Sequence, residues 1–320
     1  MHQGHVMSKR AAIVAPPQIP IGDRGEWLRD AALALGVSEH VADEFARSGC
    51  MKLGDIGLLA HPLHQPEGPW AVVAHVPRPS AVSESDWMSA LLAANTLITL
   101  VKDAAFALDK EGNGVLVLRI PMEHADDPLL FSTDLLCVLS ASLNLRKMTQ
   151  AAPSSLGIEQ ASSSAQEPEF DFDIAAALAV PASMTELVCE ARAFLGLEKV
   201  STLSSEGVDQ LRIKDREVSI SCDLAAQVLV MSADLGADAL GTADQCRAAL
   251  LSNSELLLFM GLSVAAAGGD GQLHGRFHVA GASGSLLAHW LEGFAAIATS
   301  LRADYRVEAS AQEKLKIATS

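Results

Sequence analysis

The same helix-start signal opens a long apolar stripe twice in this chain, and that repeat limits the possible folds more than any other feature. Ser83-Glu-Ser-Asp86 and Thr242-Ala-Asp-Gln245 both read as capping boxes. In each, the hydroxyl accepts from an early backbone N–H while the fourth residue reaches back to the cap. Behind the first box, Trp87, Leu91, Ala94, Ile98 and Val101 recur at spacings of four and three. Behind the second, Cys246, Leu250, Asn253, Leu257 and Met260 do the same. Each set draws one stripe down a helix. A Leu-x-x-Asn signature repeats as Leu92-Ala-Ala-Asn95 and Leu250-Leu-Ser-Asn253, one residue out of step with the stripes.

The flanks repeat in the same order. Trp27 to Leu35 and Leu187 to Leu195 read as helices closed by Gly36 and Gly196, where a positive φ ends the helix. Strand-like runs follow at Ile56–Ala60 and Ala71–Val76, then at Gln210–Ile213, Val218–Cys222 and Gln227–Ser232, so the first block offers two and the second three. After each striped helix comes a hairpin. One turns at Glu111-Gly-Asn-Gly114 and the other at Gly268-Gly-Asp-Gly271, residue types suited to positive φ. A last helix closes each block. One is capped by Asp127 and carries Phe131, Leu135, Leu139 and Leu143; the other carries Leu287, Trp290, Leu291, Phe294, Ile297 and Leu301. The expectation is an α+β chain of two tandem domains, 23–149 and 174–306. Between them lies a small, polar linker at 150–173, with tails at 1–22 and 307–320.

Composition narrows the function. At 320 residues and 49% hydrophobic, the chain can bury a core in each block. A net charge of −16, from 23 basic and 39 acidic residues, excludes a broad nucleic-acid footprint. A mean hydropathy of +0.24 invites a membrane reading. The longest apolar run, Ala90 to Val101, is broken by Asn95 and two threonines and stops at Lys102-Asp103, so no membrane span is expected. Ala11 to Ala15 is too short for a signal peptide. Five scattered cysteines (Cys50, Cys137, Cys189, Cys222, Cys246) without a CxxC suit reduced, buried thiols in the cytoplasm.

Motifs that carry chemistry have blander explanations here. Asp109-Lys-Glu-Gly-Asn-Gly114 imitates the start of a calcium loop, but the twelfth position is Ile120 instead of a bidentate glutamate, which leaves a hairpin turn. His61 and His64 lack a third ligand at a fitting spacing. His274 and His278 share one face of a strand and are expected at a solvent edge. Gly281-Ala-Ser-Gly-Ser285 lacks the ending of a phosphate loop and reads as a helix lead-in capped by Ser283 or Ser285. No catalytic residue, metal or cofactor is expected.

Taken in order, Leu92 with Asn95, Asn113-Gly114, Leu250 with Asn253, and Asp270-Gly271 resemble the layout of class I type III secretion chaperones, the Tir-chaperone or CesT-like family. The resemblance covers about 25–148 and 184–304. Family members pair through the long middle helix, so two copies in one chain imply an intramolecular pseudo-dimer; a linker of about 24 residues spans roughly 25–30 Å, enough to let the halves face each other. The resemblance implies a non-catalytic, cytosolic chaperone that holds the extended N-terminal segment of a bacterial effector. Delivery to the export machinery follows, with the export ATPase as a further contact. A scaffold or regulator binding a folded partner is the alternative. For the partner groove it points to Ile56, Leu58, Val72, Ala74, Ile213, Ile220, Val228 and Val230, and for the pseudo-dimer interface to Trp87, Leu91, Ile98, Leu250 and Leu257. The expected state in solution is a monomer with an internal pseudo-two-fold.

Overall fold

The structure, a computed structural model, describes residues 25–63, 70–120, 127–151, 182–197, 208–223, 226–236, 239–267 and 270–319. The expected tail at 1–22, most of the linker at 150–173 and His64 lie outside the described residues.

The first unit runs α1 (Gly25–Ala34), α2 (Glu39–Ser48), β1 (Cys50–Leu53), β2 (Ile56–Pro62), β3 (Trp70–Val76), α3 (Glu84–Val101), β4 (Ala104–Leu108), β5 (Gly114–Ile120) and α4 (Pro128–Ala151). The second runs α5 (Ala182–Phe194), β6 (Val208–Ile213), β7 (Arg216–Asp223), β8 (Val228–Gly236), α6 (Ala243–Glu255), a π-helical turn (Leu256–Met260), β9 (Leu262–Ala267), β10 (Asp270–His278) and α7 (Gly284–Thr319). Each unit holds one antiparallel five-stranded sheet. The strand orders are β1-β2-β3-β5-β4 and β6-β7-β8-β10-β9, the same path twice. The first unit therefore has three strands after its opening helices, one more than its sequence signals. Cys50–Leu53 is too short to reveal a period, and it is fixed as a strand by pairing with β2 from Cys50↔Leu59 to Leu53↔Ile56.

Local signals act as their chemistry requires. The Ser83 hydroxyl accepts from Asp86 N–H, and Thr242 with Gln245 completes both halves of its capping box. Asp127 accepts from Leu129 N–H at 2.8 Å, and Ser283 caps α7 by accepting from Leu286 N–H. The calcium-like loop is a turn: Asp109 accepts from Asn113 N–H at 2.8 Å while Gly112 takes φ +82°. Helix α7 continues to Thr319, through the boundary at 306.

Two expectations need correction. Helix α4 is apolar over Pro128–Thr149, with a mean hydropathy of 1.5 and length enough to cross a bilayer, a test the Ala90–Val101 run fails. Phe131, Leu135, Val138 and Leu139 lie buried in the core, which explains one apolar face of α4. The cysteines are all unpaired, but Cys189 is exposed and the other four are half-buried. Burial pushes the thiols of Cys50, Cys137, Cys222 and Cys246 up.

A core of aliphatic and aromatic side chains runs through both units. In the first, Trp27 stacks on Phe131 and tilts against Trp70; in the second, Trp290 stacks on Phe294 and meets Phe277 edge-on. The close approach of Trp290 to β10 requires glycine at 275. A Cβ there would stand 2.6 Å from Leu262 and 2.7 Å from the Trp290 ring. Gly275→Ala is expected to destabilise the chain by about 1–3 kcal/mol. Gly57→Ala, placed in open space on β2, should change stability by less than about 0.5 kcal/mol. Urea unfolding of the two variants checks both values.

Candidate functional site: the inter-unit clamp

Helices α3 and α6 pack side by side, each against the other unit's terminal strand: α3 on β9 and α6 on β4. Strands β4 and β9 are the edges of their sheets, so their outward N–H and C=O groups need partners once a helix buries them. Two asparagines supply them. Asn95 Oδ1 accepts from Phe106 N–H at 2.6 Å, while its Nδ2 donates to Phe106 O at 2.9 Å and to Val264 O of the other unit at 3.1 Å. Asn253 mirrors every bond. Its Oδ1 accepts from Val264 N–H at 2.7 Å, and its Nδ2 donates to Val264 O at 2.9 Å and to Phe106 O at 3.1 Å. Both asparagines are fully buried. Thr96 adds a donation to Ala266 O at 2.9 Å.

These bonds fix the correspondence of the halves: Asn95 answers to Asn253, and Phe106 to Val264. The Leu-x-x-Asn signature is thus the true register, and the apolar stripes shift by one. Gln245, not Cys246, stands at the place of Trp87.

Charge tightens one side of the clamp. Arg276 Nη1 donates to Leu100 O at 2.5 Å, at the C-terminal end of α3, where a cation is favoured. Its guanidinium also meets Asp103 at 3.2 Å and Asp223 at 3.0 Å. His278 approaches Asp103 at 2.9 Å, and Arg247 pairs with Glu84 across the units. At the matching place in the first unit, Arg119 stands over Gly261, so the acid that Asp103 provides has no counterpart there.

His274 is only 4% exposed, which corrects the expectation of a solvent edge. Its Nδ1 is 3.4 Å from the Thr99 hydroxyl of α3, and its Nε2 is 3.0 Å from Gln272 Oε1. Burial lowers its pKa to about 4. The period of the strand put it on the right face, but the cover comes from the other unit.

The named interface residues are distributed as follows. Trp87 and Leu91 pack within their own unit, where a Cβ on Gly114 would come within 2.8 Å of the Trp87 ring and 3.1 Å of Leu91. Ile98 and Leu250 are buried in the core running through both units. Leu257, in the π-turn, packs on Ala105 and Val117 of the first unit's sheet. The eight groove residues are all buried: Ile56, Leu58, Val72, Ala74, Ile213 and Ile220 within the core, and Val228 and Val230 on the opposite face of their strand from Leu229 and Met231. Their expected role as an open groove is corrected. An alternating strand pattern marks the face that is buried, and a buried face has no surface to offer. The two asparagines were visible in the sequence only as the repeated Leu-x-x-Asn signature, a polar residue three positions after a leucine in both long apolar helices. Among the described residues, no group of three or more His, Cys, Asp or Glu side chains is arranged to hold a metal.

No family model matches the chain, and no curated protein matches it. Part of the chain is similar to several solved structures. The ExsC–ExsE complex is 22% identical, with a TM-score of 0.33, over 37% of this chain and 90% of that one. The HopA1–SchA chaperone–effector complex is 17% identical, with a TM-score of 0.33, over 38% and 93%. The Yersinia pestis type III secretion chaperone SycH, solved with a stable fragment of YscM2, is 18% identical, with a TM-score of 0.30, over 37% and 98%.

Because Asn95 and Asn253 serve the same two carbonyls, their loss should be strongly non-additive. Asn95→Ala or Asn253→Ala is expected to cost about 1–3 kcal/mol, and a double-mutant cycle in urea should give a coupling energy of at least about 0.5 kcal/mol. The His274 shift has a definite sign. The unfolded chain takes up a proton near pH 6.5 that the folded one refuses until about pH 4, so stability is lost as pH falls through that window, by about 3 kcal/mol in all. The difference in stability between His274→Gln and the parent should therefore change with pH across this window, as measured by urea midpoints at pH 7, 6 and 5.

Proposed function

We propose that this chain is a cytosolic, non-catalytic type III secretion chaperone that holds the extended N-terminal segment of an effector in an export-competent state. The observation that carries the reading is the reciprocal asparagine clamp. It joins two copies of one α+β unit through their middle helices, the arrangement implied by the resemblance carried by Leu92-Asn95 and Leu250-Asn253. A chain locked in this way keeps two sheets in fixed relation without needing a second molecule, and so gives an unfolded segment one continuous scaffold to follow. Binding of that kind needs only main-chain hydrogen bonds and side-chain pockets. Sheet edges at β1 and β6, opposite to the clamped strands, are the sites for main-chain pairing.

With the pseudo-two-fold satisfied inside one chain, the protein is expected to be a monomer at micromolar concentration by sedimentation. A tagged form expressed in its native host should retain a larger protein, and limited proteolysis of the complex should leave a protected fragment from near that protein's N-terminus. Recovery of a folded partner with no protected terminal segment would favour the scaffold alternative. A stable dimer with the halves of each chain apart would refute the pseudo-dimer.

A further inference from the structure

The outer faces of the two sheets, compared in register, are chemically different. In the first unit Val117 pairs with Ala105 and Val73, Val73 with Leu59, and Leu59 with Cys50. In the second, His274 pairs with Ser263 and Ser232, Ser232 with Ser219, and Ser219 with Gln210. An apolar row in one unit is thus a polar row in the other. Leu59, Val73 and the neighbouring Val115 are half-buried on that face, so a part of each remains open. Charge differs in the same sense. Strands β1 to β5 contain no carboxylate but carry Lys52, His61, His75 and Arg119. Strands β6 to β10 set Glu217, Asp223, Asp234 and Asp270 beside Arg212 and Arg276 on that face, with Asp209 turned to the core side and paired with Arg192. In a chain of net charge −16, one acid-free sheet is a local exception.

Part of this face is already used as an interface. The π-turn seats Leu257 and the half-buried Leu258 on Ala105, Val115 and Val117. The row Leu59–Val73 continues outward from that contact, and Phe259 and Met260, both exposed, follow Leu258 in the chain. We propose that the outer face of the first sheet, and not its counterpart in the second, receives an unfolded client segment in which apolar side chains alternate with Asp or Glu. The apolar side chains extend the packing that Leu257 and Leu258 begin, and the carboxylates meet Lys52 and Arg119 at the rim. The serines at 219 and 232 and the carboxylates of the second sheet reject the same segment, so one chain takes one such segment. This inference rests on the chaperone reading and sharpens it to one face.

The test exchanges the two faces. The probe is a labelled synthetic peptide alternating leucine and glutamate, with a leucine–lysine peptide as control, read by fluorescence anisotropy and titration stoichiometry on the full chain. The parent is expected to bind the acidic peptide one to one and the basic peptide far less. Leu59→Ser with Val73→Ser should weaken binding by about tenfold or more, with an unchanged circular dichroism spectrum. Ser219→Leu with Ser232→Val should create a second site, a readout that stands even if the first variant fails to fold. Absence of peptide binding by the parent, equal binding by the Leu59/Val73 variant, or cross-links from the peptide to the exposed leucines of α4 would overturn the proposal. So would a free protein in which a second copy or another segment of the chain already shields Leu59 and Val73. Client capture in the native host separates the two levels. If parent and Leu59/Val73 variant capture client equally, this face is wrong and the chaperone reading stands. If the peptide behaves as expected and the parent captures no client, the face stands and the chaperone reading falls.

Discussion

Burying the edge of a β-sheet leaves a row of N–H and C=O groups that water no longer serves, and the two-unit arrangement depends on meeting that demand. Here a single amide does for each edge what a further strand would do. Asn95 binds both backbone groups of Phe106 and reaches to Val264, while Asn253 binds both groups of Val264 and reaches to Phe106. The apolar contact around them has no direction of its own; the asparagines give it a register. A buried polar group that is fully satisfied specifies one arrangement, because any slip would strand donors in a dry interface.

Around that fixed centre the units have diverged. Arg276 closes a charged contact with Asp103 and Asp223 on one side, whereas Arg119 faces Gly261 on the other. Gly275 admits Trp290 against β10, whereas the matching position of the first sheet is Leu118. The outer sheet faces differ most, apolar and acid-free in the first unit, with serines and charges of both signs in the second. Divergence of this kind is open to a fused pair and closed to an identical homodimer, in which every change falls on both halves at once.

Much of the fold was legible in the sequence, because its signals are local. The serine cap at Ser83, the capping box at Thr242, the turn at Asp109–Gly114 and the closing glycines at 36 and 196 each act within a few residues. Strand β1 was missed because four residues carry too little pattern and its identity comes from β2. The site was less legible. Ile56, Leu58, Val72 and Ala74 share a pattern with any core strand, and their burial follows from what lies on top of them, which the pattern does not encode. His274 was read as a surface residue for the same reason: its cover, Thr99, is 175 residues away in the chain.

The sequence by itself determined the α+β class, the repeated order of elements, and where helices and hairpins begin, since each follows from periodicity, capping and turn chemistry among near neighbours. Only the tertiary structure decided the register of the two halves, the burial of His274 and which sheet face stays open. Those depend on contacts between residues more than a hundred positions apart, such as Asn253 with Phe106, where the geometry of packing and the need to satisfy an edge strand, not local preference, select the partner.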